Sequence, residues 1–245
     1  MIIRRVDADR VIFRHAPWRT VQDFVRESGA EGGINFSFFF RGSSHPHNSR
    51  PLGSVLVDGE HVRDSWWDPT ALWHALVRHR NGNLDIIRSP MTWHDHESLK
   101  ATIDWMAGGG PIVLLDGEVG ILDERDFPGL AGIRPHSRVE RVGIGLTADQ
   151  GKALFVYEPS ATAREMGQIM KDLGCERAML GDGGSSASIK TKDHQKGSQL
   201  VPNFVGWLPD APQEEGNDHM KGIPLVKIKS LLEEALGLLE GHEVG

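Results

Sequence analysis

The sequence predicts an α+β protein with a mixed, largely antiparallel sheet and helices packed outside it. Strand–turn–strand patterns recur at residues 52–62, 112–119 and 138–157, and hairpins of this kind outnumber clean βαβ units. Between them, several segments carry apolar residues at helical spacing. We place a single domain at residues 1–222 and an amphipathic C-terminal helix with its tail at residues 223–245.

Composition and charge restrict the class of protein. Of the 245 residues, 39% are hydrophobic and 25% are charged, as in ordinary soluble globular proteins. The net charge of −7 opposes binding to nucleic acids or membrane surfaces, because both need basic faces. Cys175 is the single cysteine, so an intrachain disulfide and a thiolate metal cage are excluded.

Residues 1–9 lack the continuous apolar stretch of a signal peptide. No apolar run approaches the roughly 18 residues that a membrane span needs. We therefore expect a cytoplasmic protein.

The N-terminal half is predicted to alternate strands with short helices. Strands are expected at residues 11–13, 34–40 and 84–87, the second of them rich in aromatic residues. Thr20 and Gly29 are placed to begin and end one helix. Two further helices are predicted from apolar residues at helical spacing, namely Leu72, Trp73, Leu76 and Val77 in the first and Leu99, Ile103 and Met106 in the second.

The C-terminal half contains the clearest helix signal. Thr162 and Glu165 have the spacing of a capping box, and Gly174 is placed to end the helix that they begin. A strand at residues 178–180 and another at residues 200–207 follow. The apolar face of the helix predicted at residues 223–245 must pack on the domain at residues 1–222 or on a second subunit. In the second case the protein would form a homo-oligomer through this helix.

A glycine-rich loop follows the predicted strand at residues 178–180. Its sequence is Gly181-Asp182-Gly183-Gly184-Ser185-Ser186-Ala187-Ser188. Glycines let a ligand approach the main chain closely, and successive amides in such a turn can bind one anion. The structural alternative is a tight turn in which Asp182 caps free N–H groups.

Three other polar features are weaker indications of a ligand site. Arg50 and His47 lie in a polar loop at residues 41–51, where they are either anion ligands or part of a solvated surface. Asn35 interrupts an apolar strand, where it either ties down a neighbouring loop or contacts a ligand. His94 and His96 have a zinc-ligand spacing without an evident third ligand. We predict no cofactor and leave a divalent metal open.

Five motifs occur in a fixed order over residues 34–188. They are Ile34-Asn35-Phe36-Ser37-Phe38-Phe39, Pro51-Leu52-Gly53 with Asp58-Gly59, Gly110-Pro111 with Asp116-Gly117, Arg141-Val142-Gly143-Ile144-Gly145, and Leu173-Gly174-Cys175 before the glycine-rich loop. Together they resemble the phosphodiester glycosidase family. This chain departs from the family at Gly181, where the family has leucine, and at Ser185, where it has a third glycine. The family's late arginine-containing strand is matched only by residues 199–203, which hold no arginine.

The resemblance implies a hydrolase that cleaves the anomeric sugar–phosphate bond of a glycosyl phosphodiester. The expected cytoplasmic location adds a nucleotide-sugar-like substrate as an alternative. The resemblance also implies Asp182 as the base or the charge-stabilising carboxylate, with Asp116 as a second carboxylate candidate whose Asp-Gly context favours a turn. Asn35 and Ser186 would position sugar hydroxyls. The phosphate would be held by Arg141 and by the amides of Gly183, Gly184 and Ser185.

The competing hypothesis is a non-catalytic protein that binds or sequesters a sugar phosphate or a nucleotide in the same pocket. The altered glycine loop and the missing late arginine favour it. Retention of Asp182, Asn35 and Arg141 favours the enzyme.

Overall fold

Antiparallel strand pairing dominates this chain. The computed structural model describes residues 1–40, 50–62, 74–88, 100–123 and 133–210. Its elements in chain order are β1 (Ile2–Asp7), β2 (Val11–Arg19), α1 (Val21–Ser28), β3 (Gly32–Asn35), β4 (Phe39–Phe40), β5 (Arg50–Pro51), β6 (Val55–Val57), β7 (Glu60–His61), β8 (His74–His79), β9 (Leu84–Arg88), β10 (Ile103–Gly109), β11 (Ile112–Leu115), β12 (Glu118–Val119), β13 (Val139–Thr147), β14 (Lys152–Ala161), α2 (Ala163–Asp172), β15 (Cys175–Leu180), β16 (Ile189–Lys190), β17 (Gln195–Lys196) and β18 (Val201–Trp207). Short 3₁₀ turns lie at Ala8–Arg10 and Gly184–Ser186.

These strands form three sheets and one short ribbon. The six-stranded sheet has the order β1-β14-β13-β15-β11-β12. A five-stranded sheet, which we call the 55–109 sheet, has the order β7-β6-β10-β8-β9. A second five-stranded sheet, which we call the β3 sheet, has the order β17-β16-β3-β18-β2, and β4 pairs with β5 alone.

The predicted α+β class is wrong, because the described residues are mostly β and every strand pairing among them is antiparallel. Two α-helices lie wholly within these residues. The predicted N-cap at Thr20 and the predicted capping box at Thr162 are confirmed, and Thr20 also forms a capping box, with Asp23. The hairpins predicted at residues 52–62, 112–119 and 138–157 are confirmed as β6–β7, β11–β12 and β13–β14.

A central core takes one face from each of the three sheets. Along β14, Ala153, Phe155 and Tyr157 face this core, while Leu154 and Val156 face α2 on the outer side of the six-stranded sheet. The β3 sheet is covered in the same way by α1. The helices are therefore outer layers on sheets whose inner faces make the core.

Two predicted helices are wrong where the structure describes them, because both segments are strands buried on two faces. In β8, Leu76 packs in the central core and Val77 on the opposite face. Such a strand reads as a continuous apolar run, which spacing alone does not distinguish from a helix. In β10, an irregularity between Ile103 and Trp105 brings Ile103 and Met106 into one cluster, so a bulge imitates the helical i, i+3 spacing.

The chain divides into two compact units, Met1–Pro209 and Asp210–Gly245. Except for Asp210, the second unit lies outside the described residues. The boundary at residue 222, the terminal helix and its docking on a second subunit therefore stay predictions. In the part of the chain that the structure describes, no helix has the length and apolar composition needed to cross a membrane.

His74 joins the 55–109 sheet to the six-stranded sheet. Its fully buried ring accepts a hydrogen bond on Nδ1 from the backbone N–H of Ile112 at 3.0 Å. Nε2 therefore carries the proton and donates to Asp123 Oδ2 at 3.2 Å. Burial lowers the pKa of His74 to about 4, although the carboxylate of Asp123 opposes this shift.

This pKa predicts an acid-sensitive contact between the sheets. Between about pH 6.5 and 4 the unfolded chain binds a proton at His74 that the folded chain does not. The free energy of unfolding therefore decreases by up to about 3 kcal/mol as the pH is lowered through this range. Urea unfolding across this range should show a flatter pH dependence for His74→Gln than for wild type. The exposed His194→Gln should keep the wild-type slope. Equal slopes for all three proteins would contradict the assignment.

Candidate functional site

The glycine loop, Gly181–Ser188, connects two sheets. It leaves the six-stranded sheet at the end of β15 and enters the β3 sheet at β16. The N–H of Gly181 donates to Val142 O at 3.0 Å, and the N–H of Asp182 donates to Phe36 O at 2.7 Å. A Cβ on Gly181 would lie 3.0–3.2 Å from backbone atoms of Asn35 and Phe36, so this crossing has little room for a side chain there.

Asn35 ties together both ends of the glycine loop. At the end of β3, its fully buried carboxamide donates from Nδ2 to Asp182 O at 2.7 Å. Its Oδ1 accepts the N–H of Ser188 at 2.7 Å and the Ser188 hydroxyl at 3.2 Å. Of the two alternatives for Asn35, this geometry matches the loop tie. A contact with sugar hydroxyls stays a prediction.

The loop forms one wall of a cavity of about 290 Å³, which we call the loop cavity. Its lining combines a carboxylate, loop backbone, hydroxyls and two arginines. The lining residues are Phe38, Ile133, Arg134, Val139, Arg141, Asp182, Gly183, Gly184, Ser185 and Ser186. The structure thus brings together six of the residues that sequence reasoning assigned to the active site, namely Arg141, Asp182, Gly183, Gly184, Ser185 and Ser186.

The backbone of the loop offers hydrogen-bond donors. Ser186 N and Ala187 N bond within the loop, to Gly183 O and Gly184 O. In contrast, the amides of Gly183 and Gly184 donate no hydrogen bond within the described residues. Gly184 has φ +61°, the left-handed conformation that favours glycine. Unpaired successive amides beside a turn of this kind can bind an anion.

Arg141 is a buried cation at the edge of the cavity. Only 1% of the residue is exposed, and it forms no ion pair among the described residues. Nε donates to Ala161 O at 3.2 Å and Nη1 to Ile133 O at 2.9 Å. Nη2 donates to Arg134 O at 2.6 Å and to Ser137 O at 3.2 Å.

These contacts limit what Arg141 can give a ligand. They use four of its five N–H groups, so one Nη1 proton remains. Burial lowers the pKa of Arg141 from its ordinary value, yet a guanidinium stays charged in proteins. Arg141 therefore supplies positive charge to a ligand and at most one hydrogen bond, which rules out a bidentate contact.

The remaining candidates are elsewhere or undescribed. Arg50 belongs to β5 and pairs with Phe40 through its backbone, whereas His47, His94 and His96 lie outside the described residues. Asp116 sits in the turn between β11 and β12 with φ +50°, and its carboxylate pairs with Arg177 at 3.2 Å. No group of three or more His, Cys, Asp or Glu side chains within the described ranges is arranged to hold a metal ion.

Sequence reasoning missed the far wall of the loop cavity. Ile133, Arg134 and Val139 reach it from the segment before β13 and the start of that strand. That segment carries no motif of the family resemblance. Its Arg-Pro pair signals a turn, but only the fold shows that this turn faces the glycine loop.

Asn35→Leu should destabilise the protein more than the same change at the equally buried Asn203. The first variant leaves the Asp182 carbonyl and both Ser188 donors unpaired, at a cost of about 1–3 kcal/mol for each buried group. Asn203 loses a single side-chain contact, with His15, because its Nδ2 is buried without a partner. Thermal unfolding compares the two variants. A larger loss at Asn203 would contradict the loop tie.

Comparisons with known proteins bear on the family and the fold. Residues 28–207 match the family model described as phosphodiester glycosidase. No curated protein matches the sequence.

Three solved structures share the fold at low sequence identity. The catalytic domain of zebrafish N-acetylglucosamine-1-phosphodiester α-N-acetylglucosaminidase, auto-inhibited by its pro-peptide, has a TM-score of 0.64 at 13% identity, covering 82% of this chain and 74% of that one. A putative exported protein from Burkholderia pseudomallei has a TM-score of 0.61 at 14% identity, over 84% and 73%. A hypothetical protein from Synechocystis has a TM-score of 0.56 at 14% identity, over 83% and 58%. The family match spans well over half of the sequence, so the chain belongs to the phosphodiester glycosidase family.

Proposed function

We propose that this protein is a hydrolase that cleaves the anomeric sugar–phosphate bond of a glycosyl phosphodiester or of a nucleotide-sugar-like molecule. Family membership supports a glycosidase-like hydrolase. The observation that carries the proposal is the buried Arg141, which has no carboxylate partner among the described residues and lies beside the unpaired amides of Gly183 and Gly184. Burying a charge without a counter-ion is costly, so this arrangement favours a bound anion.

The chemistry of the bond suits these residues. When the bond between the anomeric carbon and its oxygen breaks, phosphate leaves as a stabilised anion. Backbone donors and a fixed cation neutralise its charge in the transition state. The enzyme consequently needs less of the acid catalysis that an alcohol leaving group requires.

Asp182 is our candidate for the group that acts at the anomeric carbon, on the attacking water or on the positive charge that develops there. It lines the same cavity. Its backbone is held at both polar atoms, because its N–H donates to Phe36 O and its carbonyl accepts from Asn35. A carboxylate on a backbone held in this way can orient a water molecule or stabilise positive charge at the anomeric carbon.

The sugar would lie against the remaining lining of the cavity. Ser186 carries a candidate hydroxyl, and Phe38 offers an apolar surface. The zebrafish relative acts on an N-acetylglucosamine-1-phosphodiester, as its name states. A cytoplasmic protein would instead meet nucleotide sugars or ADP-ribose-like molecules, so both classes belong in a substrate panel.

A second function, capture without cleavage, is favoured by one observation. The late arginine of the family is missing, and the strand in its place, β18, carries the fully buried Asn203. Such a protein would bind a sugar phosphate or a nucleotide in the loop cavity and release it unchanged.

Asp182→Asn tests the catalytic role. We expect turnover of a sugar-1-phosphodiester to fall at least about 100-fold, because a general base or charge-stabilising group contributes about 10²–10⁴. Inorganic phosphate should still bind, since the donors on the loop remain. Mass spectrometry of the products measures the first effect and calorimetry the second.

Asp116→Asn is the matched control, because Asp116 also precedes a glycine but lies in the turn of a hairpin. It should keep wild-type turnover. Full activity in Asp182→Asn would refute the role of Asp182, whereas binding without turnover in wild type would support capture.

A further inference from the structure

We infer that Arg134 is the cation that binds the phosphate of the ligand, and that Arg141 positions the turn that carries Arg134. This inference rests on the proposed function, because it assigns the recognition of the phosphate group within the same cavity. Arg134 belongs to none of the motifs that resemble the family.

Arg134 has the exposure and the freedom that a ligand contact needs. It lines the loop cavity together with the glycine loop and is an exposed residue. Its guanidinium forms no hydrogen bond or ion pair among the described residues. Four of the five N–H groups of Arg141 are used, so Arg134 is the arginine of this cavity that can offer a carboxylate-like or phosphate anion a bidentate contact.

The backbone of Arg134 is held in an unfavourable conformation. Its φ is +51°, in the left-handed region where glycine or asparagine is preferred. A non-glycine residue there carries strain of order 1–3 kcal/mol and persists only where its surroundings enforce it. Turn chemistry alone therefore does not explain an arginine at this position.

Hydrogen bonds around residues 133–137 enforce this conformation. The guanidinium of Arg141 donates to the carbonyls of Ile133, Arg134 and Ser137. The N–H of Ser137 donates to Arg134 O at 3.0 Å, and Pro135 O accepts the N–H of Ala163 at the start of α2 at 2.8 Å. The turn is thereby fixed to β13 and α2, and its arginine is fixed at the cavity wall.

Different roles for Arg141 and Arg134 would compensate for the missing late arginine. A buried, braced guanidinium supplies a permanent positive field, and an exposed one supplies directional hydrogen bonds to the phosphate oxygens. Arg134 thus provides a second positive charge at the cavity from a different part of the chain than the family's late strand.

The test is calorimetric binding of inorganic phosphate and of glucose 1-phosphate to Arg134→Asn. Asparagine suits φ +51°, so we expect an unchanged or raised Tm together with at least about a 10-fold loss of affinity for both probes, the size of one charge-assisted contact. Arg134→Lys should recover part of the affinity. Arg138→Asn is the control, because Arg138 is exposed in the same segment but pairs with Glu165; its affinity should match wild type.

The outcomes separate the two claims. Wild-type affinity in Arg134→Asn would overturn the role of Arg134 and leave the proposed function standing. A lowered Tm that accompanies the lost affinity would assign Arg134 to the turn and also overturn the inference. A wild-type protein that binds neither probe and turns over no sugar phosphate would overturn the proposed function itself.

Discussion

The site depends on how the glycine loop crosses between two sheets. Strand β15 ends in the six-stranded sheet, and the chain re-enters the β3 sheet within eight residues. The carboxamide of Asn35 and the carbonyl of Phe36 hold both ends of this crossing. In the middle of the loop, the amides of Gly183 and Gly184 donate to no described group, and such amides can bind an anion. The buried Asn35 therefore holds the loop that lines the candidate site.

The electrostatics of the site follow from burial. Arg141 is buried, and no carboxylate among the described residues neutralises it. Backbone carbonyls accept its N–H groups but do not balance its positive charge. An anion in the loop cavity would compensate that charge. The same carbonyl contacts fix the turn of Arg134, which links the field of one arginine to the position of the other.

Local signals in the sequence predicted local structure well. Asp-Gly turns predicted β6–β7 and β11–β12. An N-cap threonine predicted α1, and a capping box predicted α2. The β class was missed because β8 and β10 are buried on two faces, and a doubly buried strand lacks the alternation that distinguishes it from a helix. The glycine loop with Asp182 could be found from composition. Arg134 could not, because its place in the site depends on tertiary contacts of the 133–137 segment with Arg141 and α2.

The most direct test of this account follows the oxygen of the water that enters the products. Purified protein would be incubated with a sugar-1-phosphodiester and a nucleotide sugar in H₂¹⁸O, and the phosphate-containing product would be weighed by mass spectrometry. Attack of water at the anomeric carbon leaves the phosphate product without label, and this is the result we predict. Label in the phosphate product would show cleavage of the P–O bond and would contradict the glycosidase assignment.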